Sequence, residues 1–153
     1  MRRILINSDN VSGVSSLFAI PLYEFNRLAL VDGECCISIK SYDRIIDLPI
    51  VDEKRFKVAV DTYRDKGSIL HEVNITGYIP RLDVPSCVMS ELQYGEWIVM
   101  WVDCNGVAKV AGERMSPMRF TSTESTGDAG YSFQFSCFQH VSPPCVMTEM
   151  MTE

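Results

Sequence analysis

The chain has 153 residues, of which 46% are hydrophobic and 22% are charged, and its formal net charge is −6. That length allows one domain with a hydrophobic core of its own. The acidic balance, with basic pairs only at positions 2–3 and 54–55, disfavours a sequence-reading nucleic-acid binder, and no apolar run approaches the roughly 20 residues of a membrane span.

The first part of the chain contains two apolar segments. Residues 2–7 have the composition of a strand, although their apolar run is too short for a secretion signal. Residues 12–25 are apolar but are interrupted by Pro21. Because proline cannot donate to a central β-ladder, we expect the segment 12–25 to form an edge strand or an arm.

Alternating apolar and polar residues predict antiparallel strands in the middle and late parts of the chain. Segments 35–39, 56–60 and 69–75 alternate, and Lys66-Gly67 supplies a turn between the last two. The clearest alternation is in segment 131–137, where one face would lie in the core and the other in water. The core face of that segment consists of Tyr131, Phe133, Phe135 and Cys137.

A short helix is predicted between the two pairs of strands. Asp83 can cap its first turn, Pro85 suits that turn, and Gly95 would end it. The apolar face would consist of Val84, Val88 and Leu92.

The segment 97–102, WIVMWV, is apolar at every position and does not alternate. Such a strand is either central and covered on both faces by its own chain, or covered by another subunit. Directly behind it, Asn105-Gly106 predicts a hairpin, because both residue types tolerate positive φ and a type I′ turn matches strand twist.

We expect one β-rich domain over residues 1–142, with 12–25 as a possible arm. The segment 143–153 contains three methionines and shows no periodicity. We therefore expect it to be a flexible tail that extends from the domain.

Common catalytic signatures are absent, including the nucleophile elbow, the phosphate loop, the zinc-protease helix and the dinucleotide fingerprint. His71 and His140 are the two histidines, and His140 follows Cys137 with loose metal-ligand spacing. Zinc sites usually show two tight ligand pairs, so we expect no metal. Because the catalytic signatures are absent, we also expect no cofactor and no enzymatic activity. An enzyme would require a thiol or carboxylate cluster beside one of these histidines.

The six cysteines lie at positions 35, 36, 87, 104, 137 and 145, with no CxxC spacing. Cys35 and Cys36 are adjacent and would point to opposite faces of a strand. With no secretion signal, we expect six free thiols in a reducing compartment.

The C-terminal half resembles small virion proteins of Bacteroides-type phages and prophages. The resemblance covers roughly residues 74–138 and rests on a D-x-NG hairpin, a glycine, a Pro-x-Arg-Phe and a Thr-Gly ahead of a Gly-Tyr-x-Phe strand. The matching residues are Asp103, Asn105, Gly106, Gly112, Pro117, Arg119, Phe120, Thr126, Gly127, Gly130, Tyr131 and Phe133.

The resemblance implies a non-enzymatic structural protein of the tail or neck. Its expected fold is a mainly β, antiparallel β-barrel or sandwich with one short flanking helix and an extended β-hairpin that joins subunits into a ring. Expected partners are further copies of the chain and other virion tail or neck proteins, with DNA only as cargo passing an acidic lumen and no membrane. The chain would be made in the bacterial host cytoplasm and end in the virion.

The apolar strand and the predicted 56–75 hairpin supply plausible inter-subunit residues. These are Trp97, Val99, Trp101, Phe56, Val58, Ile69 and Val73. The alternative function is a carbohydrate- or receptor-binding β-sandwich, in which exposed aromatic side chains would form a stacking platform. Exposed, clustered aromatics would favour that alternative, and burial of Trp97 and Trp101 would count against it.

Overall fold

The computed structural model describes residues 12–50, 52–81 and 85–153. These residues contain one α-helix, α1 (Ser86–Tyr94), and short 3-10 helices at Leu22–Glu24 and Glu53–Arg55. The strands are β1 (Val14–Pro21), β2 (Phe25–Val31), β3 (Glu34–Ile39), β4 (Ile46–Leu48), β5 (Lys57–Asp65), β6 (Ser68–Pro80), β7 (Trp97–Asp103), β8 (Ala108–Ala111), β9 (Arg119–Ser125), β10 (Gly130–Gln139), β11 (Cys145–Val146) and β12 (Met151–Thr152).

The strands form three sheets. The five-stranded sheet has the order β11-β8-β7-β1-β4, the four-stranded sheet β5-β6-β10-β9, and the three-stranded sheet β12-β3-β2. All neighbours are antiparallel except β12 and β3. The prediction of a mainly β, sandwich-like fold with one short helix and an extended hairpin is confirmed, and the described sheets do not close into a barrel.

The apolar strand β7 lies in the middle layer and is covered on both sides by its own chain. Trp97, Val99 and Trp101 are buried in a core shared with the four-stranded sheet. Ile98 and Met100 are buried in a second core shared with the three-stranded sheet. Successive side chains of a strand point to opposite faces, so a strand between two layers must be apolar at every position.

The segment predicted as an edge strand or arm is an interior strand. β1 pairs with β7 on one side and with β4 on the other. Pro21 is its last residue, so the missing N–H falls where the strand ends. Leu17 enters the core shared with the four-stranded sheet, and Ile20 enters the second core.

The C-terminal segment 143–153 packs against the domain, where we had expected a tail extending from it. β11 pairs with β8, and β12 pairs with β3. Arg27 donates to the Glu153 carboxylate at 2.7 Å, which holds the pKa of Glu153 below its usual range. Tyr42 donates its hydroxyl to the carbonyl of Met150. Strand pairs of two residues are too short to leave a periodic pattern in the sequence.

The predicted hairpin after β7 exists, but its turn is of a different type. Asp103 accepts a hydrogen bond from the N–H of Gly106 at 3.1 Å and donates its own N–H to Val107 at 3.0 Å. Gly106 has a φ of 81°, whereas Asn105 has no positive φ. This is a three-residue loop with glycine in the left-handed position, not a two-residue type I′ turn.

We expect Gly106→Val to destabilise the chain by about 1–2 kcal/mol, because a β-branched residue is strained in the left-handed region. A Cβ at this position would meet nothing within 4 Å, so the cost is backbone strain alone. Urea unfolding measures it. Gly106→Asn is the matched control, since asparagine tolerates positive φ, and equal losses in both variants would contradict the strain argument.

The predicted helix is present as α1, with Pro85 at its N-cap and Gly95 following its last turn. Leu92 is buried and Val88 packs against the larger core. Asp83 and Val84, and the strand predicted for residues 2–7, lie outside the described residues.

Candidate functional site

A long β-hairpin extends beyond the layered part of the chain. It is made of β5 and the first half of β6, and every residue from Asp61 to Ile69 is exposed. Because consecutive strand residues point to opposite faces, both faces of this part of the hairpin are open to solvent. The hairpin is therefore the largest described element that is not covered by the rest of the described chain.

Aromatic packing fixes the base of the hairpin. The rings of Phe56 and Phe133 meet edge to face, with centroids 5.9 Å apart. Gly77 of β6 makes room for both, since a Cβ there would lie 2.5 Å from Phe133 and 2.6 Å from Phe56. Val73 and Ile75 are buried beside them. The base of the hairpin is therefore part of a well-packed sheet, and the exposed part extends from that sheet.

Cross-strand contacts hold the exposed part in register. Thr62 Oγ1 and His71 Nδ1 are 3.1 Å apart. Tyr63 donates its hydroxyl to Glu72 at 3.2 Å, and this hydrogen bond raises the pKa of Tyr63. At the turn, φ is 47° at Lys66 and 83° at Gly67, as a two-residue type I′ turn requires. The predicted Lys66-Gly67 turn is confirmed.

The hairpin also offers an open sheet edge. Within the described residues, β5 pairs only with β6, so its outer row of N–H and C=O groups has no strand beside it. Val60, Tyr63 and Ile69 expose 37%, 48% and 47% of their surface. An exposed edge with apolar side chains is a template for strand addition by another chain. We call β5 and these three residues the hairpin surface.

The structure separates the seven predicted inter-subunit residues into two groups. Only Val58, which is partly buried, and Ile69 reach the surface. Four of the others are buried inside the chain, so their prediction as contact residues is wrong: Phe56, Val73, Val99 and Trp101. Trp97 is also buried, but it lines a cleft at the surface. The physical reason is that two further layers of the same chain cover β7, and the aromatic core covers the hairpin base.

Sequence reasoning missed Val60 and Tyr63 as surface residues of the hairpin. The available signal was that β5 becomes polar or charged at most positions beyond Val60, while β6 is still apolar at Ile69 and Leu70. Loss of regular alternation in a pair of strands indicates that the strands extend beyond the hydrophobic core.

The structure does not bring a metal-binding set together among the described residues. No group of three or more His, Cys, Asp or Glu side chains there could hold a metal ion. His71 contacts Thr62, and His140 is exposed. Cys137 is buried and its Sγ donates to Gln139 at 3.7 Å, so the Cys137–His140 spacing does not form a pair of converging ligands.

All six cysteines are free. Burial raises the pKa of the Cys137 thiol to about 11 and also raises the pKa of Cys35. Both shifts favour the protonated thiol, whereas a nucleophilic cysteine needs a lowered pKa.

We expect the thiols to alkylate in an order set by exposure. Cys87 and Cys145 are exposed and should react first, whereas Cys36 and Cys137 are buried and should react last. Raising the pKa from 9.0 to about 11 lowers the thiolate fraction of Cys137 about 100-fold at pH 8. Timed labelling and mass spectrometry at pH 8 measure the order, and the unfolded, unreduced chain should label at all six. Early labelling of Cys137 would contradict the described core.

The two tryptophans, which a stacking platform would expose, are buried. Trp97, Trp101 and Phe120 expose 5% or less of their surface, while Tyr94 exposes 89%. This burial counts against the carbohydrate-binding alternative. The outer face of the four-stranded sheet does contain a shallow polar cleft, lined by residues that include Arg55, Thr76, Thr121, Ser132 and Gln134.

No model of a protein family matches the chain, and a search of curated proteins finds no match. Within the described residues, no helix is long and apolar enough to cross a membrane.

Proposed function

We propose that the chain is a non-enzymatic structural protein of a phage virion, which forms a homo-oligomeric ring in the tail or the head–tail connector. The observation that carries the proposal is the hairpin surface, which extends beyond the layered part of the chain, with both faces exposed and an unpaired strand edge. The resemblance of residues 74–138 to small phage virion proteins supports the virion as the place of assembly.

A hairpin of this length favours a role in assembly for a physical reason. A two-stranded hairpin is marginally stable in water unless a third strand or another layer supports it. Beyond the Thr62–His71 pair, β5 and β6 have neither within the described residues, because β10 pairs with β6 only as far as His71. A neighbouring subunit would supply that support, and strand addition would satisfy the edge groups of β5.

The negative charge of the chain is compatible with a ring through which DNA passes. At a net charge of −6, a ring of several copies would carry a large negative charge. An acidic lumen repels DNA phosphates, so DNA can pass without binding. In this proposal DNA is cargo and not a bound partner.

Quantitative mass spectrometry of purified phage particles tests the proposal. We expect the chain in every preparation, at a copy number typical of a ring component and unchanged after nuclease and high-salt washing. Particles that are infectious and lack the chain would contradict the proposal. A non-structural phage enzyme made in the same infected cells is the matched control, because it should disappear on washing.

A further inference from the structure

We propose that an apolar cleft on the opposite side of the domain receives the hairpin tip of a second copy. The hairpin tip is the segment 63–70. The acceptor cleft lies between the 3-10 turn after β1 and the connection from α1 to β7. This inference rests on the proposed ring, and it names the second of the two surfaces that such a ring needs.

The acceptor cleft has an apolar floor and a charged rim. Its volume is about 450 Å³, within the range of roughly 300–1,000 Å³ of pockets that take whole ligands. The apolar lining comes from Pro21, Leu22, Tyr23 and Trp97, and the charged lining from Glu91, Glu96 and Arg114.

Hydrogen bonds to backbone carbonyls fix the walls of the cleft. Leu22 donates its N–H to the carbonyl of Glu96 at 3.0 Å, which ties the 3-10 turn to the residue before β7. Arg114 donates to the carbonyls of Phe25 at 2.6 Å and Asn26 at 3.0 Å. The cleft is therefore formed in the single copy.

The hairpin and the cleft lie on different sides of one copy. β7 begins at Trp97, which is bridged to Met118 just ahead of β9. The other end of β7, at Trp101, borders Val58 of β5. Since β9 and β5 are the two outer strands of the four-stranded sheet in the described chain, β7 crosses that sheet from one edge to the other. Head-to-tail rings require two such different surfaces.

The two surfaces have complementary chemistry. On one face of the tip, Ile69 is paired across the strands with Arg64, and Lys66 lies at the turn next to Asp65. Arg64, Asp65 and Lys66 sum to +1. The cleft residues Glu91, Glu96 and Arg114 sum to −1.

None of these six charged side chains forms an ion pair with another described residue. Their charges are therefore available to a neighbour. We infer that Ile69 contacts the apolar floor while Arg64 and Lys66 meet Glu91 and Glu96. Partly desolvated opposite charges then fix the register of the contact.

Charge reversal on each side, followed by mixing, tests this pairing. One variant carries Arg64→Glu and Lys66→Glu, and the other carries Glu91→Lys and Glu96→Lys. All four residues are exposed, so thermal unfolding should be unchanged. Each variant alone should show a self-association constant about 100-fold weaker in sedimentation experiments, because like charges then face each other. An equimolar mixture should regain association, since each tip then meets a cleft of opposite charge.

The outcomes separate this inference from the proposed function. If both variants associate as the unchanged chain does, or if mixing restores nothing, the tip does not occupy this cleft, and presence of the chain in washed particles still supports the ring. If the unchanged chain is a monomer up to millimolar concentration, the pairing is overturned as well. Absence from the particles would instead contradict the proposed function.

Discussion

Replacing Trp97 with alanine is expected to destabilise the chain by about 3–5 kcal/mol, as do other truncations of fully buried aromatic residues. Trp97 exposes 1% of its surface. Its indole Nε1 donates to the carbonyl of Leu92 at 3.0 Å, which fastens α1 to β7. The substitution therefore leaves a large cavity and an unpaired carbonyl in the layer where the sheets meet.

Denaturant unfolding measures this loss, which is a large part of the roughly 5–15 kcal/mol that stabilises most domains. Tyr94→Ala is the matched control, because Tyr94 is a neighbouring aromatic with 89% exposure and should change stability little. If Trp97→Ala instead left stability intact, Trp97 would not be part of the core and the described layering would be incorrect.

Shortening the hairpin is expected to abolish self-association without unfolding the domain. Residues 62–71 would be replaced by Asn-Gly, which joins Asp61 to Glu72. These two residues are paired across the strands, so the new two-residue turn keeps the register of the sheet. The variant removes Tyr63 and Ile69 together with the outer part of the β5 edge.

We expect the dissociation constant for self-association to rise at least about 100-fold, since the central apolar contacts of an interface carry most of its energy. Light scattering over a concentration series measures it. Asp32→Asn, in the turn between β2 and β3, is the control for a change in another exposed hairpin. If the shortened and full-length chains associated equally, the hairpin would have no role in self-association.

Local patterns predicted much of the fold. Alternation identified the strands around Phe133 and Phe135, and the glycines at 67 and 106 marked two hairpin turns that the structure contains. The hairpin between β2 and β3 was not predicted, although Asp32-Gly33 is a strong turn signal and both residues have positive φ. Segment 35–39 was predicted as a strand, but β2, Phe25–Val31, lacks regular alternation, so its pairing with β3 was not predicted.

The candidate site was harder to predict because burial depends on how the layers stack. The apolar positions of β7 are compatible with a covered strand or with an interface, and only the tertiary arrangement distinguishes the two. The acceptor cleft joins Tyr23, Glu91 and Arg114, which are far apart in the sequence. No local pattern contains such a juxtaposition.

The most direct test of hairpin-mediated assembly is amide hydrogen exchange, compared between the dilute monomer and the self-associated chain. The account predicts that alternate amides of β5, Lys57–Asp65, become at least tenfold more protected on association, because a neighbouring strand then pairs with their open edge. Amides of β7, which is already interior, should not change. Association that leaves the exchange rates of β5 unchanged would contradict the account.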